Sequence, residues 1–409
     1  MDTIYGCCAG LDVHKESVHC CVRRMDERGK VQEQVRAFGT TTRQLLALHD
    51  FLSGCGVTHV AMESTGVYWK PVWNVLESGF ELVLVNARHI KNVPGRKTDV
   101  KDCQWIAQLL QHGLLKASFV PHSQQREWRD LTRHRVQLTA QATQTANRIQ
   151  KVLEDANIKL ASVASDVLGK SGRAMLKALI EGQTDPTVLA AEARGRLRSK
   201  TEPLREAMEG RVTEHHRFML QLLMDQLEQL ETMVKRVEER IDQATASFAR
   251  EIELLDTIPG VDRKVAQTLL AEVGAQMSQF PSADALASWA GICPGSHESA
   301  GKRKKGTTNR ANRWLRRALV QAAWAASHTK NTYLAAQFRR LASRRGRKRA
   351  LVAVAHSILV SVYHVLSRGT EYRDLGANHY ETLNPERLTR NLVKRLEALG
   401  HRVTLQPAA

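Results

Sequence analysis

No apolar run in the 409 residues is long enough to span a bilayer, so a membrane protein is not expected. The N-terminus, MDTIYGCCAG, lacks a basic stretch followed by an apolar one, which argues against a secretion signal. The seven cysteines, Cys7, Cys8, Cys20, Cys21, Cys55, Cys103 and Cys293, are odd in number and form no compact framework. This argues against structural disulfides and for a reducing cytoplasm. The doublets Cys7-Cys8 and Cys20-Cys21 lack the Cys-x-x-Cys spacing of zinc sites and lie in strand-like segments, where buried free cysteine is common. Acid is in short supply too: 42 Asp and Glu stand against 60 Lys and Arg, a net charge of +18. A local excess of that size is the electrostatic footprint of a nucleic-acid binder.

Proline and glycine are modest, so the chain reads as globular, with length for two or three domains. Residues 4–13, 17–24 and 30–38 read as strands; a helix over 41–54, a strand over 57–62, a helix over 67–78 and a strand over 80–85 follow. A basic loop at 88–97 leads to a helix starting near Asp99. The pattern is α/β and defines a first domain over 1–122. Residues 123–250 are almost wholly helical, with coiled-coil-like helices over 126–160 and 215–242 and a smaller helical insert at about 160–210, punctuated by Pro186 and Pro203. A mainly helical third domain covers 251–370, with a helix over 350–367, and a poorly patterned tail, expected to be ordered only in part, covers 371–409.

Four carboxylates sit at element ends in the first domain. Asp12 ends the first strand in GLDVHKE, Glu63 follows a later strand in MESTGVYW, and Asp99 and Asp102 open a helix in KTDVKDCQWIA, three apart and so on one face. In a ribonuclease-H-like sheet the two strands would be neighbours and the four groups would converge. Carboxylates gathered so closely repel one another unless a cation is present. Hard divalent ions prefer such oxygen ligands, and two ions about 3.5–4 Å apart stabilise attacking and leaving oxygens in phosphoryl transfer. Singly, Asp99 reads as a helix cap, Glu63 as a solvated loop residue and Asp12 as a turn former; jointly, in a basic protein, they read as catalytic.

Ile258-Pro259-Gly260-Val261 between two helices reads as a helix-hairpin-helix whose Gly260 would let helix amides approach a phosphate, or equally as an ordinary turn. Ser299 lies in a glycine-flanked polar loop before Lys302, Arg303, Lys304 and Lys305, with Arg313, Arg316 and Arg317 on a following helix. Those cations could cradle a scissile phosphate, leaving Ser299, Ser296 and Thr307 as competing nucleophiles and a simple turn-capping role for Ser299 still open. Arg344, Arg345, Arg347, Lys348 and Arg349 read as a phosphate-binding patch. Trp314 could stack on bases, whereas Trp289 reads as core.

In this order GLDVHKE, MESTGVYW, KTDVKDCQWIA, IPGVDRKVAQTLLAE and the SxGxxxxG…NxxLRRAL region cover nearly the whole chain, which resembles the DEDD transposases of insertion sequences, the RNA-guided bridge recombinases. The 160–210 segment is longer than in compact members, as in a larger subgroup, and HESAG stands where others often have ESG. The resemblance implies a RuvC-like N-terminal domain with Asp12, Glu63, Asp99 and Asp102 holding Mg²⁺, or Mn²⁺ in its place. It implies a C-terminal transposase domain in which Ser299 forms a covalent phosphoserine link to DNA. It further implies donor and target DNA, an element-encoded noncoding guide RNA, a homodimer assembling to a homotetramer, and a cytoplasmic place at the bacterial nucleoid. Three other functions stay open on the residues alone: a junction-resolving metal nuclease that uses water, a recombinase that needs no RNA, and a non-enzymatic nucleic-acid-binding protein.

Overall fold

The computed structural model describes residues 3–64, 66–86, 102–293, 298–299, 302–303, 308, 312–383 and 385–406, with only the backbone at 298, 299, 302, 303, 381 and 387. The chain divides into two compact units, Met1–Ser123 and Gln124–Ala409.

The first unit is a mixed sheet of five strands in the order β3-β2-β1-β4-β5. The strands are β1 (Cys7–Val13), β2 (Ser17–Met25), β3 (Val31–Gly39), β4 (His59–Glu63) and β5 (Glu81–Val85). The first three form an antiparallel meander, and β4 and β5 add in parallel beside β1. Helices α1 (Thr42–Gly54), α2 (Trp69–Leu76) and α3 (Asp102–Gln111) cover the sheet.

Alternation along each strand decides which helix meets which side chain. Ala9, Leu11 and Val13 of β1, with Val60 and Met62 of β4, share a core with Leu45, Leu48 and Leu52 of α1 and Val72, Trp73 and Leu76 of α2. Cys8 and Ala61 instead pack with Ile106, Leu109 and Leu110 of α3, and Cys21 with Cys103 and Ala107. Each fully buried Leu or Ile here contributes about 1.5–3 kcal/mol, which holds both layers on the sheet.

Gly10 sets how closely α3 approaches. A Cβ there would lie 2.3 Å from both Ala107 N and Cys103 O, so only glycine lets the helix backbone rest on β1. A polar set that runs from the buried Arg23 and Gln111 out to the exposed Glu33 fixes the same helix laterally. Arg23 Nε donates to Gln111 Oε1 (2.9 Å), its guanidinium pairs with Glu33, and Gln104 donates to Glu33 (2.6 Å).

In the second unit, α4 (Ser123–Asp155) and α9 (Glu214–Ala244) run antiparallel: Thr145 meets Gln226, and Asp155 meets His216. The insert between them holds α5 (Leu160–Val163), α6 (Lys170–Ile180), α7 (Pro186–Ala191), a 3₁₀ turn (Gly195–Lys200) and α8 (Thr201–Ala207). Its apolar residues, Met175, Leu176, Leu189 and Leu204 among them, pack with Ile149 and Leu153 of α4 and Leu220 and Leu223 of α9 in one core.

Helices α10 (Ala249–Asp256), α11 (Arg263–Val273), α12 (Ala283–Trp289), α13 (Arg313–His328), α14 (Tyr333–Arg345) and α15 (Arg347–Arg368) follow. A two-stranded hairpin, β6 (Glu298–Ser299) with β7 (Lys302–Arg303), lies between α12 and α13 in the chain. Helix α15 is long and apolar enough to cross a membrane by length and composition, which the expectation of no such run overlooked because Arg347, Lys348, Arg349 and Arg368 bracket it. It is the helix against which α10, α12, α13 and α14 pack, with Val354, Ile358, Leu359 and Val362 fully buried.

The tail also departs from its expected lack of pattern. It carries α16 (His379–Thr382) and α17 (Pro385–Ala398), the latter strongly amphipathic, with Leu388, Leu392 and Leu396 at helical spacing among charged neighbours. Tyr380 stacks on Tyr333 with Arg340 over its ring, which ties this segment to α14.

Candidate active site

Asp12 and Glu63 immediately follow the register pair Leu11↔Met62 on the neighbouring parallel strands β1 and β4. Strand alternation turns both toward the face that carries Cys8, Gly10 and Ala61, the face covered by α3. Asp102 is the first residue of α3. The neighbouring Cys103 thiol is pushed up by burial first, and then by the negative charges of Asp12 and Asp102. It therefore lies within electrostatic reach of both carboxylates and stays neutral. Asp12 accepts from His14 Nε2 at 3.1 Å, and His14 stands 6.0 Å in ring-centre distance from His19, the cross-strand neighbour of Asp12.

Three of the four sequence-predicted carboxylates thus belong to one face and one edge. Asp99 lies outside the described residues. Among the described residues no group of three or more His, Cys, Asp or Glu is close enough to hold a metal ion. The donor set itself, all carboxylate oxygen, suits a hard divalent ion.

In the second unit Ser299 pairs with Lys302 across the β6–β7 hairpin. The side chains of Ser299, Lys302 and Arg303 are outside the described set, as are Ser296, Lys304, Lys305 and Thr307 altogether. Arg313, Arg316 and Arg317 occupy the start of α13, where Asn312 caps the amides of Trp314 and Leu315, both at 3.1 Å. Arg316 donates to Thr308 Oγ1 (2.9 Å), tying the end of the hairpin connection to the helix. Trp314 is flanked by the guanidinium groups of Arg313 and Arg133, 4.6 and 5.9 Å from its ring centre. Trp289 packs on Phe280.

Gly260 has φ +86°, and a Cβ on it would lie 2.2 Å from Ala322 O and 2.6 Å from Ala326 N. The close approach it allows is to α13. The following helix N-terminus is capped by the Asp262 carboxylate, which accepts from Val265 N at 2.7 Å. Arg344 and Arg345 end α14, while Arg347, Lys348 and Arg349 begin α15, all exposed around Gly346 at φ +81°. Cations at a helix start add to the positive end of the macrodipole, so this corner concentrates positive potential.

The sequence reading missed Glu272. It is fully buried on α11 and is held by Arg133 through two bonds (2.7 and 2.8 Å) and by the Asn312 amide (2.6 Å). Arg129 adds bonds to the carbonyls of Ala271 (3.0 Å) and Glu272 (2.5 Å), and burial lowers its pKa to about 10. A charge inside the otherwise apolar stretch TLLAEVG was the available signal.

The arrangement is thus one of carboxylates on a sheet edge in the first unit and of cations around helix ends in the second. A transposase family model matches residues 9–158, and a second, described as the transposase IS116/IS110/IS902 family, matches residues 252–339. The chain belongs to this family of transposases. It is 25% identical over 371 residues to the transposase for insertion sequence element IS1111A of Coxiella burnetii, an alignment that covers 89% of this chain and 90% of that protein.

Proposed function

We propose that the protein is an RNA-guided DNA transposase that cuts and rejoins donor and target DNA through a covalent phosphoserine intermediate. One observation supports the metal-dependent chemistry of this reading: Asp12, next to last in β1, and Glu63, last in the adjacent parallel β4, lie on the face where α3 begins with Asp102. The strand order β3-β2-β1-β4-β5, with an antiparallel meander and parallel additions, supports a ribonuclease-H-like, RuvC-like assignment for the first unit.

Asp12, Glu63, Asp99 and Asp102 would hold Mg²⁺, or Mn²⁺, which when bound neutralises charge on the phosphate. The Oγ of Ser299 forms a bond to phosphorus as a backbone P–O bond breaks. The serine proton passes to a base, and the departing strand leaves as a hydroxyl after taking up a proton. Attack by the hydroxyl of a second strand reverses the step and returns the serine. Lys302, Arg303, Lys304, Lys305, Arg313, Arg316 and Arg317 hold the phosphates around it, and the Arg344–Arg349 corner holds a further stretch of backbone. In this reading a noncoding RNA of the element selects both DNAs, and dimers pair into tetramers so that carboxylates and serine of one site come from different subunits. The packing of Gly260 against α13 and the Asp262 cap favour a structural turn over a phosphate-holding helix-hairpin-helix.

The test is a denaturing gel for covalent protein–DNA linkage. It uses the full chain, the noncoding RNA flanking its element, Mg²⁺ and end-labelled target DNA. An adduct in wild type that both Ser299→Ala and Asp102→Asn abolish is the expected result. Cleavage without an adduct, untouched by Ser299→Ala, would leave a water-using nuclease; an adduct that survives ribonuclease would remove the RNA guide.

A further inference from the structure

The helical insert lies outside both family matches, which end at 158 and resume at 252. It has its own basic surface. Arg194, Arg196, Arg198 and Lys200 occupy alternate positions of the run RGRLRSK, on and just before the 3₁₀ turn, and all four are exposed. Arg194, Arg196 and Lys200, with Lys170 at the start of α6, line an open cleft of about 480 Å³, and Arg198 stands beside it.

Pairing sets these cations apart from their neighbours. Four other basic residues at or in the insert have carboxylate partners, Lys159 with Glu154, Arg173 with Glu231, Lys177 with Glu181, and Arg205 with Glu202, while Arg211, just past it, lies outside the cleft. Lys170, Arg194, Arg196, Arg198 and Lys200 make no ion pair among the described residues. Two of them reach only carbonyls: Arg198 Nε donates to Ala193 O (3.4 Å) and Lys200 Nζ to Val163 O (3.2 Å). The one acid lining the cleft is Asp166, whose Oδ1 accepts from Leu168 N.

The surface is also held rigidly. Ser171 Oγ accepts from Arg194 N (2.9 Å) and donates to Arg194 O (3.3 Å), which clamps the head of the run to α6. Gly195 at φ +59° turns the chain away from that clamp. Leu189, Ala193 and Leu204, on either side of the run, are buried in the insert core. Like charges at this density repel one another, and a rigid, unpaired set of them gains most from a polyanion with regularly spaced charge.

We propose that this cleft is a separate contact for the phosphodiester backbone of nucleic acid, independent of the basic clusters on α13, α14 and α15. It rests on the reading of the chain as a nucleic-acid-processing protein. A backbone contact releases counterions, so each phosphate engaged steepens the fall of log K with log salt by about 0.9 on duplex DNA and about 0.7 on a single strand.

The experiment measures binding of the full chain to a labelled single-stranded RNA and a labelled DNA duplex by fluorescence anisotropy across a salt series. The variant Arg196→Gln/Lys200→Gln is compared with Lys177→Gln/Arg205→Gln, which removes the same charge from paired positions of the same insert. The first pair should flatten the slope by about 1.4 on the RNA or about 1.8 on the duplex, with an unchanged melting midpoint; the second pair should flatten it by less than half as much. Loss on RNA alone assigns the cleft to RNA, and loss on the duplex alone assigns it to DNA. Unchanged slopes on both probes, or equal flattening by the two pairs, overturn the proposal. A wild-type chain that binds neither probe overturns the parent reading with it.

Discussion

The side-chain amide of Asn312 donates to the fully buried carboxylate of Glu272 at 2.6 Å, while its oxygen caps the first amides of α13. One residue therefore joins a core charge to the helix start that carries Arg313, Arg316 and Arg317. Three arginines at a helix start oppose the macrodipole, and the capped amides together with the carboxylate beneath them offset that cost. Glu272→Ala should destabilise the second unit by about 3–5 kcal/mol, because Arg129 and Arg133 would lose their counter-charge. Glu272→Gln should cost less, since an amide oxygen still accepts. Asn312→Ala should cost about 1 kcal/mol as a lost cap, and should weaken DNA binding more than it lowers stability. Urea midpoints and anisotropy on the same variants check all three.

Gly10→Ala places a methyl against the Ala107 amide and the Cys103 carbonyl, each 2.3 Å from the added atom. The backbone of α3 must back away, at a cost of about 1–3 kcal/mol, and Asp102 moves with it. Adduct formation should fall at least tenfold while far-UV circular dichroism keeps its shape. Full activity in this variant would show that the seat of α3 on β1 does not matter to the site.

Burial pushes the Cys8 thiol up to about 12, with Cys7 adding to the shift and Arg23 opposing it. Cys20 and Cys21 move the same way, again chiefly through burial. The folded pKa is raised, so the stability these thiols contribute is fully present below pH 9 and is lost as pH climbs toward 12. The loss is about 1.4 kcal/mol per pH unit for Cys8. Melting midpoints should fall between pH 9 and 11, and less steeply in Cys8→Ala. At pH 8 the native protein should leave all three thiols unalkylated by iodoacetamide.

At the α14–α15 corner, stability and binding should move in opposite directions. Arg347→Gln/Lys348→Gln/Arg349→Gln removes three cations from a helix start, which should raise stability by about 0.3–1 kcal/mol per charge at low salt. The same change should flatten the salt dependence of duplex binding by up to about 2.7. A variant both less stable and unchanged in binding would refute the phosphate role of this corner.

Short apolar, β-branched runs bounded by turn signals made β2 to β5 legible within two residues, because strands covered on both faces, such as β4, bury consecutive residues. It also showed Asp12, Glu63 and Asp102 as element-end carboxylates. What could not be read was their common face: that depends on β4 joining β1 in parallel at Leu11↔Met62, a pairing between segments some fifty residues apart. The role of Gly260 was ambiguous for the same reason, since Ala322 and Ala326, which crowd it, come from a distant helix.

Composition and local pattern by themselves determined a basic α/β-plus-helical protein with carboxylates at element ends and cations in runs. Those properties depend on residue type and short-range spacing alone. Tertiary structure decided the rest: that Glu272 is an ion-paired core residue and not a surface acid, that Arg173 meets Glu231 while Arg196 and Lys200 meet no carboxylate among the described residues, and that the long apolar helix α15 is the centre of a bundle. Each of these depends on which groups share a low-dielectric interior or a reachable partner, and only the folded chain brings such groups together.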